Sequence, residues 1–355
     1  MKQRMPNNFA KFIVLCLCFC LLPLTGCDKD TLPTEVVLTS DFLADEVFRL
    51  EGIPCLKNEI MVYLVNSENK YTEVFTDKIW SVAVGDTSLE DSYKETILAR
   101  IAQIKIMNLL AKERGLALNE EDEAKVKAAA KEYFDTLSDY EKDFLQVDFD
   151  TLAKMYGELS LANRLYEEIT GDVNPEISDD EARTITVQTI LIKTYSLDAA
   201  GNKTAFTEEE KEGAFKRISQ IKQRLDEGEA FEVLAADYNE DTRSEYSFGR
   251  GVMPEEFEKA AWSLSNGEVS DIVETEYGYH LIYCVTTFNP EETQANKAKI
   301  LEERRHEVFD EIYDNYAMTL TSNLNKPLWD SIHYKSEENV KTADFFDIYD
   351  RYFNQ

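Results

Sequence analysis

The sequence predicts an α+β chain in which a small mixed domain is inserted into a helical body, and three observations predict it. Apolar residues recur at helical spacing from about Ser88 to Ile169, the period drops to two near Ala182, and helical spacing returns beyond Asn289. The flanking helices each carry an apolar face that needs a partner, whereas the segment between them contains a complete set of strands and helices. The expected division is therefore a helical domain, 41–182 plus 289–355, around a compact domain at 183–288.

The elements follow in order. Ile97, Ile101, Ile104 and Met107 share one face of a helix that starts near Ser88 and stops at Gly115. Glu120 to Leu137 is a charged, alanine-rich helix behind Asn119 as N-cap. The acidic run Glu120-Glu121-Asp122-Glu123 reads as its solvated first turn rather than a calcium site. Leu152, Met155, Leu159, Ala162, Tyr166 and Ile169 mark another amphipathic helix, ended before Gly171 and Pro175.

Within the inserted domain, Ile185, Val187, Thr189 and Leu191 alternate as a strand. Thr207 and Glu210 form a capping box that opens a helix with Ala214, Ile218, Ile221 and Leu225 on one face and Gly228 beyond its end. Short helices are expected at Phe231–Tyr238 and Pro254–Leu264, then a turn at Asn266-Gly267 and strands at Val269–Thr275 and His280–Val285. After Asn289 a long helix carries Leu301, Val308, Ile312 and Tyr316 to about Leu324. The tail contributes a strand, Trp329–Tyr334, and a terminal aromatic helix. No internal repeat is visible.

The chain opens with Lys2, Arg4 and Lys11 around the start of an apolar run, Phe12 to Leu24, followed by Thr25-Gly26-Cys27. A membrane-crossing helix needs ~20 apolar residues; this run is shorter and reads as a secretion signal. Leu24-Thr25-Gly26-Cys27 resembles the bacterial lipobox, which implies cleavage before Cys27 and a lipid on its sulfur. Residues 1–26 then leave as signal peptide, and residues 27–40, polar and carrying Pro33, are a tether. The expected location is the extracytoplasmic face of the cell membrane, lipid-anchored.

Three basic and no acidic residues leave with 1–26, which takes the formal net charge from −31 to −34. A surface of that sign repels phosphate backbones, so nucleic acid is not an expected partner. Cys16, Cys18 and Cys20 leave with the signal and Cys27 carries lipid. Only Cys55 and Cys284 remain, too few for a disulfide framework or metal cluster. His280 and Cys284 are not a thiol dyad, because four strand residues separate their α-carbons by ~13 Å. His306 lies in a charged helical run, and His333 has no acidic or thiol partner at motif spacing. No metal and no cofactor are expected.

Six ordered blocks carry a resemblance: Ile190-Leu191-Ile192-Lys193, Gly228 to Ala235, Tyr238-Asn239-Glu240-Asp241, Phe257 to Trp262, Gly267-Glu268-Val269-Ser270, and Thr275 to His280. In order and spacing they resemble the parvulin peptidyl-prolyl isomerases. With the lipobox and flanking helices, the whole chain is similar to extracytoplasmic foldase lipoproteins of the PrsA type, related in plan to SurA-like chaperones. The resemblance implies a four-stranded antiparallel sheet with helices for the inserted domain. It also implies unfolded or partly folded secreted polypeptides as partners, with dimerisation left open.

The chemistry of such a domain is rotation. An Xaa-Pro amide turns over a barrier of ~18–20 kcal/mol and takes tens of seconds or longer unaided. A catalyst needs an apolar socket for the ring and polar groups that favour the twisted amide. The resemblance places the socket at Met253 and Phe257, a histidine at His280, a hydroxyl within the polar cluster at Thr275, and an acid near the substrate carbonyl at Asp241. Tyr277 takes a serine-like position, and Lys193 a basic position after the first strand that would favour acidic residues before proline.

Two departures stand out. Thr189 occupies the place of the family's first-strand histidine, and it cannot replace an imidazole that shares a proton with its neighbours. The segment Thr242 to Ser247 is shortened and is expected to lack an apolar wall residue. Both weaken the expected isomerase, and they keep open the alternative of a chaperone whose parvulin-like domain binds peptides with little turnover.

Overall fold

The computed structural model describes residues 42–85, 87–198, 203–333 and 337–353. Cys27, the signal and the tether lie outside the described residues. Among those described, no helix is long and apolar enough to cross a membrane. The chain divides into two compact units, one spanning 170–309 and the other built from the residues on either side of it.

The outer unit begins with strands β1 (Glu46–Leu50) and β2 (Ile53–Leu56) and helix α1 (Lys57–Phe75). A 3-10 turn (Asp77–Ser81) and the two-residue strands β3 (Ala83–Val84) and β4 (Thr87–Ser88) lead into α2 (Leu89–Glu113). Helices α3 (Glu120–Thr136), α4 (Asp139–Leu145) and α5 (Phe149–Thr170) follow. The Ser88 and Asn119 side chains cap α2 and α3 by accepting the amides of Asp91 and Asp122. The Asn119 contact is the N-cap expected for α3.

The inner unit holds β5 (Ile185–Lys193), a small hairpin of β6 (Tyr195–Leu197) and β7 (Lys203–Ala205), then α6 (Glu208–Asp226) and α7 (Phe231–Tyr238). It continues through β8 (Glu245–Phe248), α8 (Glu255–Ser263), β9 (Val273–Thr275) and β10 (Gly278–Thr286) to α9 (Pro290–Ala317). The four-stranded sheet runs β8-β5-β10-β9, antiparallel throughout. Alternate residues face opposite sides. Ile190, Ile192, Tyr279 and Leu281 pack under α6 and α7 with Ile218 and Leu234, whereas Ile185, Val187, Ile282 and Cys284 pack with Phe248, Phe257 and Ala261 of the α8 side. Gly278 permits the closest approach of β10 to β5: a Cβ there would meet the Ile192 carbonyl oxygen at 2.2 Å.

The inner unit is larger than the motif. Thr293 on α9 accepts the Thr184 amide at 3.1 Å, and the Asn296 side chain donates to the Ala182 carbonyl at 2.9 Å. Lys297 pairs with Asp179, and Arg304 pairs with Glu181. These bonds tie α9 as far as Phe309 to the sheet's own unit, beyond the expected limits of 183–288. The buried positions of α9 also differ from expectation: Phe309 and Ala317 are buried, and Val308 is exposed.

The structure corrects three further expectations. The long helix stops at Ala317, and Ser322–Leu324 is instead strand β11, paired with β1 through Phe48↔Leu324 and Leu50↔Ser322. The expected strand at Trp329–Tyr334 is helix α10 (Lys326–Ser331), because Asn325 caps it and Pro327 occupies its first turn; Tyr334 lies outside the described residues. The strand expected from Val269 is regular only over Val273–Thr275. There the Ser270 hydroxyl accepts the Ile282 amide at 3.0 Å and takes a rung of the ladder. The outer unit also carries a three-stranded sheet, β11-β1-β2. The terminal aromatic helix α11 (Phe345–Phe353) is present, its Phe345 ring stacked on Tyr156 at 4.4 Å.

Candidate functional site

The α8-facing side of the inner sheet positions the expected residues. His280 lies opposite Leu191, and Thr189 opposite Ile282, so both project to the side that carries Phe257. His280 is buried, its ring 5.2 Å from that of Phe257 at 77°, an edge-to-face contact. The Thr275 hydroxyl lies 2.9 Å from His280 Nε2 and also accepts the Tyr277 amide at 3.1 Å. The hydroxyl donates to Nε2 in one imidazole tautomer and accepts from it in the other. Among the described residues, His280 Nδ1 has no hydrogen-bond partner, and neither has the buried Thr189 hydroxyl. The sheet thus carries two orphaned polar atoms on one face.

Burial pushes the His280 imidazole down to about 4, against the pull of the nearby Asp241 carboxylate. The ring is neutral at neutral pH. In the unfolded chain it would take up a proton near its ordinary pKa of ~6.5, so the folded state binds fewer protons between ~6.5 and about 4. Stability attributable to His280 is complete above ~6.5 and is expected to fall by about 3 kcal/mol as pH drops through 4. Thermal unfolding from pH 3.5 to 7 compared with His280→Gln checks it: the difference between the two proteins should change across this window and be constant above it.

Asp241 stands just beyond α7. Its Oδ1 accepts the Thr242 amide and its Oδ2 the Tyr246 hydroxyl, each at 2.7 Å. Asn239, two residues earlier, accepts the Leu191 amide at 3.0 Å and the Asp241 amide at 3.2 Å, which fastens the loop to β5. Glu240 accepts the Lys193 amide at 2.7 Å and pairs with Arg217. Met253 and Tyr246 are half-buried at the edge of the cluster around Phe257. Phe257 itself is 4% exposed, so of the two residues expected to form a socket Met253 is the more accessible.

Lys193 and Tyr277 make ring contacts with the β6-β7 hairpin. Tyr277 is exposed, with the Lys203 ammonium 4.2 Å from its ring centre, and the Lys193 ammonium is 5.9 Å from the Tyr195 ring. Cys284 is a buried free thiol, part of the core. The motif reading missed Tyr246 and Phe248. The sequence predicts a short strand between the two short helices, now β8, but its residues say nothing of the strand it pairs with.

Residues 190–286 match the family described as rotamase, PPIC-type PPIASE domain. The inner unit carries a parvulin domain. Over 134 residues the chain is 34% identical to the foldase protein PrsA of Geobacillus kaustophilus, covering 36% of this chain and 41% of that one. Over 263 residues it is 27% identical to the foldase protein PrsA of Caldanaerobacter subterraneus, covering 70% of this chain and 76% of that one. Among solved structures it is similar to the peptidylprolyl isomerase PrsA of Bacillus cereus, at 19% identity and a TM-score of 0.35 over 76% of this chain and 98% of that one. The corresponding protein of Bacillus anthracis gives 21% identity and a TM-score of 0.33, covering 68% and 100%. The sequence match at 190–286, not these superpositions, carries the assignment of the parvulin domain.

Proposed function

We propose that this protein is a membrane-anchored extracytoplasmic foldase that isomerises Xaa-Pro bonds in secreted polypeptides. The observation that carries the reading is the Thr275–His280 bond at 2.9 Å beneath the Phe257 ring, within the matched parvulin domain. Met253 and Phe257 supply the apolar surface for proline. Asp241 stands near the substrate carbonyl, where it disfavours the planar, charge-separated amide relative to the twisted one. His280, neutral and bonded to Thr275, gives the site a fixed polar wall that costs no reorganisation during rotation. Lys193 and Tyr277 border the peptide's path, the lysine favouring an acidic residue before proline. The domain therefore needs no cofactor for this chemistry.

A second reading, a chaperone that binds peptides with little turnover, is favoured by the orphaned His280 Nδ1 and Thr189 hydroxyl. A histidine at position 189 would give the imidazole a partner and constrain its orientation. Positioning errors of this kind lower rates ~100-fold. Thr189→His is expected to raise kcat/KM toward Xaa-Pro peptides in a protease-coupled assay. No turnover by either protein, with both folded and binding peptide, would select the second reading.

Anchoring rests on the lipobox at Leu24-Thr25-Gly26-Cys27. Cys27→Ala should shift the protein from the membrane fraction to the soluble one, or leave the signal uncleaved. Intact mass of the membrane-bound form should show a diacylglyceryl adduct on a chain beginning at Cys27; an unmodified N-terminus elsewhere would sink the anchor.

A further inference from the structure

The shortened segment after Asp241 was expected to lack a wall residue, and the fold supplies one. Tyr246 sits on edge strand β8 opposite Val187, which places it on the sheet face of Thr189 and His280. Its ring, like Met253, packs against the cluster around Phe257. Its hydroxyl donates to Asp241 Oδ2 at 2.7 Å. The surrounding loop residues Thr242, Arg243 and Ser244 are exposed, so this bond is the one that ties the carboxylate to the packed sheet rather than to its own loop.

We propose that Tyr246 is a positioning residue: its ring forms the wall beside Met253, and its hydroxyl sets the orientation of the Asp241 carboxylate toward a bound Xaa-Pro segment. An aliphatic residue at this place would supply the wall alone. The phenol is suited to the second task, because a hydroxyl facing a carboxylate can only donate. Burial and the adjacent Asp241 charge push it up to about 12, so the proton stays in place throughout the neutral range. The inference rests on the isomerase reading for the identity of the bound segment.

The test is a double-mutant cycle in the full-length chain with Tyr246→Phe, Asp241→Ala and the pair. Tyr246→Phe keeps the wall and removes the bond. It should lower kcat about tenfold, the usual scale for a hydrogen bond to a charged group, with little change in KM. In the Asp241→Ala background the same substitution should cost less than about twofold. Equal losses in the two backgrounds, or no loss from Tyr246→Phe alone, would overturn the positioning role. The affinity for one Xaa-Pro peptide is measured in the same four proteins. If the wild-type chain turns nothing over, the isomerase reading fails on its own, and the coupling between Tyr246 and Asp241 is judged from Kd by the same criterion.

Discussion

Glu68→Gln is expected to stabilise the outer unit by about 3 kcal/mol at pH 7. Glu68 lies on α1 and is 1% exposed, and neither of its carboxyl oxygens has a hydrogen-bond partner among the described residues. The buried Lys94 lies close enough to lower the carboxyl's pKa, but its ammonium stands over the Trp329 ring at 4.9 Å. Burial first, and the Glu90 charge second, push the carboxyl up to about 9. The folded state therefore keeps a proton that the unfolded chain releases near its ordinary pKa of ~4.5. Below ~4.5 the group costs nothing. From there to about 9 the unit loses about 1.4 kcal/mol per pH unit, and above 9 the loss is complete. The glutamine variant has no such slope. Denaturant unfolding at pH 5, 7 and 9 should show the two proteins nearly equal at pH 5 and diverging as pH rises. Parallel stabilities across that range would mean that Glu68 finds a partner in solution.

Phe257→Ala is expected to remove turnover and to cost about 3–5 kcal/mol of stability, the usual range for emptying a buried aromatic site. The ring touches His280 edge-on and lies 6.1 Å from Phe248, so its loss opens the core and frees the imidazole together. Phe257→Leu separates the two effects. It keeps most of the buried apolar volume, so the domain should remain folded by circular dichroism. Yet it removes the flat ring that holds His280, and kcat/KM should still fall at least tenfold. Unchanged turnover by the folded leucine variant would make Phe257 a core residue only and leave the proline socket to Met253.

Much of this architecture was readable before any coordinates, and the limits have physical causes. Helices α2, α3 and α5 have one buried face and one wet one, so their period is printed in the residues. Helix α1 went unread for the opposite reason: Ile60 through Val65 are all buried, and a segment covered on every side has no amphipathic period to detect. Asp241, Thr275 and His280 were singled out because each lies in one of the ordered blocks that resemble the parvulins. Tyr246 was not, because its role depends on which strand β8 pairs with.

The sequence by itself determined the α+β class and the order of the main strands and helices in the inner unit, since these follow from local periodicity, capping and spacing; the expected site residues came from the resemblance of its ordered blocks to the parvulins. Tertiary structure alone decided the pairing of β1 with β11, elements of a few residues separated by most of the chain. It also decided the attachment of α9 to the inner unit through Thr293 and Asn296, and the bond from Tyr246 to Asp241. Each of those is a contact between residues whose own neighbours along the chain say nothing of the partner. Only the closing of the core brings such groups within hydrogen-bond reach.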